Sequence, residues 1–110
     1  MSPTQRSLAK LRAEGWTAEY VQYWNSFAQV SVDLINCIDI LCFAPGRGFL
    51  GVQVCGEDVQ PHVKKIQAEP RSVIWRQAGG QLVVHAWRLR GKGNKKTWHC
   101  RIIKFKPKAP

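Results

Sequence analysis

The segment CIDILCFAPGRGFLGVQVCGE, residues 37–57, constrains the fold more than any other part of the chain. Two runs rich in Ile, Leu, Val and Phe flank a turn that contains proline and glycine, which is the pattern of a β-hairpin. We assume that Phe43 pairs with Phe49 across this turn, and this register then sets Asp39 directly opposite Gln53. A polar pair inside an apolar hairpin requires an explanation, because buried polar groups are seldom left without partners.

The segments around this hairpin predict a mixed α/β (α+β) fold in which helices flank a mixed central sheet. Ser2 and Pro3 form an N-cap pattern that begins the first helix. The predicted order is α-β-β-β-α-α-β-β, in a single domain that spans residues 1–110 and ends in a frayed tail at 106–110. The predicted helices lie near 3–14, 60–66 and 70–78, and the strands near 16–24, 30–43 (with a bend at 34–36), 49–55, 81–90 and 97–106.

The basic side chains are concentrated in the C-terminal part of the chain. Residues 1–69 contain six basic and all seven acidic side chains, a net charge of −1, whereas residues 70–110 contain eleven basic and no acidic ones, a net charge of +11. Such a surface attracts polyanions, and nucleic acid is the usual one. A basic surface kept for solubility and attraction to an acidic membrane are the alternatives.

The composition predicts an intracellular, cytoplasmic protein without membrane contacts. No apolar run reaches the roughly 18 residues of a membrane-spanning helix, and the first residues lack the apolar core of a secretory signal. The four cysteines form no CxxC pair and have no metal-binding spacing with the three histidines. We therefore expect free thiols in a reducing compartment.

The polar pair in the central hairpin suggests a site for a hard cation. The carboxylate of Asp39, the amide oxygen of Gln53 and the backbone carbonyl of Val54 are oxygen ligands of the kind that Mg²⁺ or Mn²⁺ binds. Such an ion beside a basic surface would polarise a phosphodiester and lower the pKa of its bound water. The alternative is structural, with Asp39 capping a bulge or pairing with an arginine while Gln53 hydrogen-bonds across the sheet.

The order of helix, three-stranded meander and helix, with these two polar residues in the second and third strands, resembles the PD-(D/E)xK nuclease superfamily. Its fold is the restriction-endonuclease-like fold. The resemblance covers roughly residues 3–89, and DLINCIDILCF and GFLGVQVCGEDVQPHVKKI are similar to small phage and bacterial members whose third strand contains Gln-Val-Thr. It implies hydrolysis of DNA that depends on Mg²⁺ or Mn²⁺, with Asp39 and Gln53 as metal ligands.

The chain departs from the superfamily pattern at Cys55, which occupies the position of the usual catalytic lysine. A thiol cannot replace an ammonium group that orients the attacking water and stabilises developing negative charge. We therefore expect a lysine from the following helix, Lys64 or Lys65, to take over this role.

Further acidic residues are candidates for the additional carboxylate that some superfamily members use. Glu14, near the end of the first helix, and Glu19, in the first strand, are the two that we consider. Asp33 lies on the same nominal strand face as Asp39, but we expect the intervening bend to remove it from the site.

The predicted terminal hairpin contains the candidate nucleic-acid-binding residues. Its tip, GKGNKK, is positively charged and suited to a groove or a phosphate backbone. Its tryptophans are suited to stacking on bases, although large rings in amphipathic segments more often belong to the core. The candidate cations are Arg88, Arg90, Lys92, Lys95, Lys96 and Arg101.

Three functions remain open at this point, and we favour the first. They are a metal-dependent DNA endonuclease, a catalytically inactive protein of the same fold that binds nucleic acid, and a small protein whose basic face binds an acidic protein. A homodimer would allow two sites to cut two strands, but nothing in the sequence decides the oligomeric state.

Overall fold

The computed structural model describes residues 1–110 and shows a mixed α+β fold, which confirms the predicted fold class. Three helices and seven strands form the chain, two strands more than predicted. The helices are α1 (Pro3–Ala13), α2 (Gln60–Ala68) and α3 (Pro70–Gln77). The strands are β1 (Thr17–Tyr20), β2 (Tyr23–Asn25), β3 (Val30–Val32), β4 (Ile40–Ala44), β5 (Gly48–Cys55), β6 (Gln81–Arg90) and β7 (Thr97–Lys104), with a short 3-10 turn at Gly93–Lys95.

Five strands form the central sheet in the order β1-β4-β5-β6-β7. Only β5 and β6 are parallel, because α2 and α3 return the chain across the sheet between them. The assumed register of the central hairpin is confirmed, since Phe43 pairs with Phe49 and Ile40 with Val52.

The two extra strands arise where the sequence predicted long continuous strands. The predicted strand at 16–24 is interrupted at Val21 and Gln22, and β2 then pairs with β3 in a separate two-stranded sheet. The predicted strand at 30–43 is interrupted by a turn in which Ile35 and Asn36 have φ angles of 44° and 63°. Residues in this left-handed region cannot continue a strand, so the chain reverses there.

Both faces of the central sheet are covered, because side chains alternate along each strand. Helix α1 packs on one face, and α2 with α3 packs on the other. The first core contains Leu11, Trp16, Ala18, Ile40, Cys42, Leu50, Val52, Val54, Val83 and Trp87. The second core contains Cys37, Ile38, Cys55, Val59, Ile66, Leu82, Val84 and Ala86.

The chain termini have defined contacts. The predicted N-cap is confirmed, because Ser2 Oγ accepts a hydrogen bond from the Gln5 amide at 3.2 Å while the Gln5 side chain accepts one from the Ser2 amide at 2.8 Å. Beyond β7, the expected frayed tail begins with an anchored residue, since Arg76 Nη1 donates to the Lys106 carbonyl at 3.2 Å. None of the three helices combines the length and the hydropathy that a membrane span requires.

Candidate functional site

A polar cavity of about 340 Å³ opens at the end of the central sheet where β1 and β5 end and β4 begins. Its walls come from α1, from the connection between β1 and β4, from the end of β5 and from α2. We call it the carboxylate cavity. Its lining residues are Thr4, Tyr20, Gln22, Ser31, Asp33, Asn36, Asp39, Gln53, Val54, His62 and Lys65.

A tight turn brings Asp33 and Asp39 together in this cavity. Leu34 and Ile38 exchange two backbone hydrogen bonds of 2.9 Å, and the next pair outward is Asp33 opposite Asp39. In such a position adjacent side chains approach most closely. The expectation that the bend removes Asp33 is therefore wrong. The positive φ of Ile35 in the turn is a genuine strain for a β-branched residue, and such strain concentrates at functional sites.

The predicted pair of Asp39 and Gln53 is present and deeply buried, with exposed fractions of 6% and 3%. Asp39 Oδ2 accepts hydrogen bonds from Gln53 Nε2 at 2.5 Å and from the Val54 amide at 2.8 Å. Val54 thus contacts Asp39 through its N–H group, and the role of its carbonyl as a metal ligand stays a prediction.

The two carboxyl groups have opposite pKa shifts. Burial, together with the nearby negative charge of Asp33, raises the pKa of Asp39 to about 7 despite the hydrogen bonds that Asp39 accepts. Burial acts in the same direction on Asp33, but its interaction with the neighbouring Asp39 carboxyl and the hydrogen bonds from Gln22 and Lys65 outweigh burial and lower the pKa of Asp33. Two carboxyl groups that share one site separate their pKa values in this way, because two adjacent negative charges repel.

Lys65 is the lysine that reaches the cavity. Its Nζ lies 3.0 Å from Asp33 Oδ2, and Gln22 Nε2 donates to the other oxygen of Asp33 at 2.5 Å. Lys64 is the next residue of α2, and its side chain is exposed outside the cavity because successive helical residues point about 100° apart. The structure therefore brings one of the two predicted lysines to the carboxylates.

Two buried side-chain atoms in the whole chain lack a hydrogen-bond partner, and both belong to residues that line this cavity. They are Gln53 Oε1 and His62 Nδ1. A buried polar atom without a partner costs about 1–3 kcal/mol. Such atoms in one cavity indicate a place where a water, an ion or a substrate completes the hydrogen bonding.

The oxygen atoms of the cavity fit a hard cation. Asp33, Asp39 and Gln53 provide two carboxylates and an amide oxygen, which are the donor types that Mg²⁺ and Mn²⁺ prefer. Mg²⁺ typically takes one or two carboxylates and completes its shell with waters and substrate phosphate oxygens. No group of three or more Asp, Glu, His or Cys side chains in the chain is arranged to hold a metal ion by itself.

Three other candidates lie outside the cavity. Cys55 is a member of the second core, where burial raises the pKa of its thiol, so this cysteine is expected to be unreactive. Glu19 has an exposed side chain on the edge strand β1, and Glu14 pairs with Lys10 one turn away on α1. None of the three lines the cavity.

The predicted cationic residues form an exposed extension at the same end of the sheet. The last pair between β5 and β6 is Cys55 with Ala86, but β6 and β7 stay paired for four further residue pairs. At about 3.3 Å per residue this ladder extends roughly 13 Å past the end of β5. We call residues 88–101 the basic hairpin. Its six cations form no ion pair; Arg88 is half-buried and the other five, Arg90, Lys92, Lys95, Lys96 and Arg101, are exposed.

A larger cavity of about 570 Å³ lies at the opposite end of the sheet. Two of the four cations that line it, Arg47 and Arg76, have partners within the protein. Arg47 lies 3.8 Å from the centroid of the Trp16 ring and donates to the Glu14 carbonyl, and Arg76 donates to the Lys106 carbonyl. Neither of the two buried atoms without a hydrogen-bond partner belongs to a residue that lines this cavity.

Sequence reasoning missed several residues of the site. A signal for Asp33 was Asn36, since asparagine tolerates the left-handed conformation of a tight turn and so indicates that residues 33 and 39 oppose each other. A signal for His62 was its spacing of three residues from Lys65, which puts both on one face of α2. Tyr20 and Gln22 gave no signal, because the strand that contains them was predicted to be continuous.

Neither a family model, nor a curated protein, nor a solved structure matches this chain significantly.

Proposed function

We propose that the chain is a metal-dependent nuclease that hydrolyses phosphodiester bonds of DNA in the carboxylate cavity. The observation that carries the proposal is the convergence in one cavity of the paired carboxylates of Asp33 and Asp39 with the two unpartnered atoms of Gln53 and His62. The resemblance to the PD-(D/E)xK superfamily supports the same chemistry through Asp39 and Gln53.

Each residue of the cavity has a distinct task in this proposal. Asp39 and Gln53 would hold Mg²⁺ or Mn²⁺, and the ion would supply polarisation of the phosphate and acidification of a water. Asp33 holds the Lys65 ammonium at 3.0 Å, so that its positive charge faces the scissile phosphate and stabilises developing negative charge. His62 Nδ1, a buried atom without a partner in the same cavity, is available to form a hydrogen bond with the substrate or a water.

The basic hairpin binds the DNA in this proposal. Its cations stand at the same end of the sheet as the cavity and have no acidic partners, so phosphates are their natural counter-ions. A homodimer with one site for each strand and an intracellular location are parts of the same proposal.

A second candidate function is a nucleic-acid-binding protein of the same fold that does not cut. Two observations favour it: Cys55 is buried where the superfamily has its lysine, and the Lys65 ammonium already pairs with Asp33. This protein would bind through the basic hairpin, with an affinity that falls steeply as salt increases.

The decisive experiment is incubation of the purified chain with linear, circular and branched DNA in Mg²⁺, in Mn²⁺ and in EDTA. We expect cleavage that requires the metal and that Asp39→Asn reduces about 1,000-fold, since a metal contributes several kcal/mol to the transition state. Asp58→Asn, an exposed aspartate on the loop before α2, is the matched control and should cleave normally. If the wild type binds DNA but cleaves it in neither Mg²⁺ nor Mn²⁺, the non-cutting nucleic-acid-binding protein is the function that remains.

The adjacent lysines provide a second matched pair. Lys65→Met should lower the cleavage rate about 100-fold, because one preorganised charge is lost from the site. Lys64→Met removes the same charge from the next position of α2 and should change the rate less than about 3-fold, as expected for an exposed charge. Equal rates for the two variants would remove Lys65 from the mechanism.

A further inference from the structure

The hairpin formed by β2 and β3, residues 23–32, exposes large aromatic side chains and contains no charged residue. Trp24 is 62% exposed, Tyr23 is 59% exposed, and Phe27 in the turn is fully exposed. We call this segment the aromatic hairpin. Exposed large apolar side chains concentrated in one short segment are candidates for a binding surface.

The aromatic hairpin stands at the rim of the carboxylate cavity. The chain enters it after Gln22 and leaves it at Asp33, and both residues line the cavity, as does Ser31 within β3. The hairpin is therefore fixed to the cavity wall at both of its ends.

The aromatic hairpin and the basic hairpin lie on either side of the cavity. Both emerge from the end of the central sheet where β5 stops, the aromatic hairpin between β1 and β4, and the basic hairpin from β6 and β7. With strands spaced about 4.8 Å apart, the cavity between β4 and β5 lies roughly 10 Å from the β6–β7 pair. A strand of nucleic acid bound by the basic hairpin would thus pass over the cavity toward the aromatic hairpin.

We propose that Trp24 and Phe27 of the aromatic hairpin stack on unpaired nucleobases beside the carboxylate cavity. The inference rests on the proposed function, because it assumes that a nucleic acid occupies the cavity. The segment has no cation for phosphates and no charge for an ionic protein partner, whereas the flat apolar faces of bases match aromatic rings.

The stacking defines the substrate class. In a continuous duplex the faces of the bases are covered by their neighbours, so side chains reach them only at single strands, forks, bulges and ends. The chain is therefore specific for single-stranded or branched positions rather than for a base sequence.

The test measures binding of fluorescently labelled single-stranded, forked and blunt duplex DNA in EDTA, where no cleavage occurs. The double variant Trp24→Ala/Phe27→Ala should bind single-stranded and forked DNA about 10- to 100-fold more weakly, and the duplex less than about 3-fold more weakly. The control is Phe43→Ala/Phe49→Ala, which removes an exposed pair of rings from the opposite end of β4 and β5. This control should bind like the wild type.

A second pair of variants separates stacking from general apolar contact. Trp24→Tyr/Phe27→Tyr keeps two flat rings and should retain most of the affinity for forked DNA, whereas Trp24→Leu/Phe27→Leu keeps apolar volume and should lose it. Full affinity in the leucine variant would overturn the proposal, and so would an equal loss on duplex and forked DNA. The variants of Trp24 and Phe27 should unfold at the wild-type temperature, because these two side chains are largely exposed.

Two further outcomes distinguish the proposals from one another. If the wild type does not cleave DNA but still prefers forked DNA, the nuclease proposal is refuted and the stacking proposal stands. If the wild type cleaves DNA and Trp24→Ala/Phe27→Ala cleaves it equally well, the stacking proposal is refuted and the nuclease proposal stands. Sedimentation provides the last test. If the wild type is a dimer that Trp24→Ala/Phe27→Ala converts to a monomer, the aromatic hairpin is a dimerisation surface and the proposal fails.

Discussion

Two buried polar clusters lie on opposite faces of the central sheet, and they differ in whether their buried polar atoms have hydrogen-bond partners. On the α1 face, Trp87 Nε1 donates to Ser7 Oγ at 2.8 Å, and Ser7 Oγ lies 3.0 Å from His85 Nδ1. The serine hydroxyl accepts from the tryptophan and is then free to donate to the histidine. No fully buried polar atom of this cluster lacks a partner.

In the cluster around Asp39 and Gln53, by contrast, the hydrogen bonding of the buried polar atoms is incomplete. It holds a carboxyl whose pKa is raised to about 7, two buried atoms without partners, and a backbone turn with Ile35 at positive φ. A satisfied network rigidifies a core, whereas an unsatisfied one costs stability and persists where function requires it. We therefore assign the cluster of Ser7, His85 and Trp87 a structural role, and the unpartnered atoms of the carboxylate cavity support the function that we propose for it.

The largest loss of stability is expected for a substitution in the cluster of Ser7, His85 and Trp87. Ser7→Ala leaves the Trp87 N–H and the His85 Nδ1 without their buried partner, and two such losses together should lower the free energy of unfolding by about 3–4 kcal/mol. Urea unfolding at pH 7.5 measures the change. Ser26→Ala, in the exposed turn of the aromatic hairpin, is the control and should be neutral. A loss below about 1 kcal/mol for Ser7→Ala would mean that the network contributes little.

The pH dependence of stability provides the next test, because the two clusters have opposite slopes. Burial lowers the pKa of His85 to about 4, so stability is lost as pH falls from 6.5 to 4, where only the unfolded chain binds the proton. Burial raises the pKa of Asp39 to about 7, so here the folded chain holds a proton that the unfolded chain has released, and stability is lost as pH rises from 4 to 7.

Opposite slopes of this kind partly cancel in the wild type. In EDTA we expect a nearly flat profile between pH 4.5 and 7 for the wild type. In Asp39→Asn the compensating group is absent, so stability should rise by about 3 kcal/mol over the same range, at 1.36 kcal/mol per unit of pKa shift. Parallel profiles for the two proteins would show that Asp39 titrates as an ordinary surface carboxyl.

Replacement of the Asp39 carboxyl by an amide should also raise the stability of the folded protein. Asp39→Asn keeps an oxygen that accepts from Gln53 and Val54 but removes a buried charge that Asp33 repels, so at pH 8 without metal we expect about 2 kcal/mol of additional stability. Thermal and urea unfolding measure the gain, with Asp58→Asn as the exposed control. If Asp39→Asn destabilises the protein, Asp39 has a structural role instead.

The central hairpin could be predicted from the sequence because its constraints are local. Two apolar strands and a proline–glycine turn determine the pairing of Phe43 with Phe49, and this register alone brings Asp39 to Gln53. The starts of the helices near Ser2 and Gln60 could be predicted equally well, because capping residues and proline determine the start of a helix within its first turn.

The rest of the site depends on residues whose own preferences oppose the structure. Ile35 favours extended backbone, yet tertiary packing holds it at positive φ, and this turn is what opposes Asp33 to Asp39. The aromatic hairpin was missed for a related reason. Its β-forming residues continue the pattern of β1 without interruption, so periodicity could not show that β2 leaves the central sheet.

The smallest change in unfolding free energy is expected for a substitution of Gln53, and this substitution separates a functional role from a structural one. Gln53→Met removes a hydrogen bond to Asp39 but also removes the buried oxygen that has no partner, so we expect a change in unfolding free energy within about 1 kcal/mol. We expect Mg²⁺ or Mn²⁺ to raise the melting temperature of the wild type, and the same variant should lose this increase because a ligand stabilises only a protein that binds it. A glutamine kept for stability would give the opposite result, with a loss comparable to that of Ser7→Ala and an unchanged response to metal.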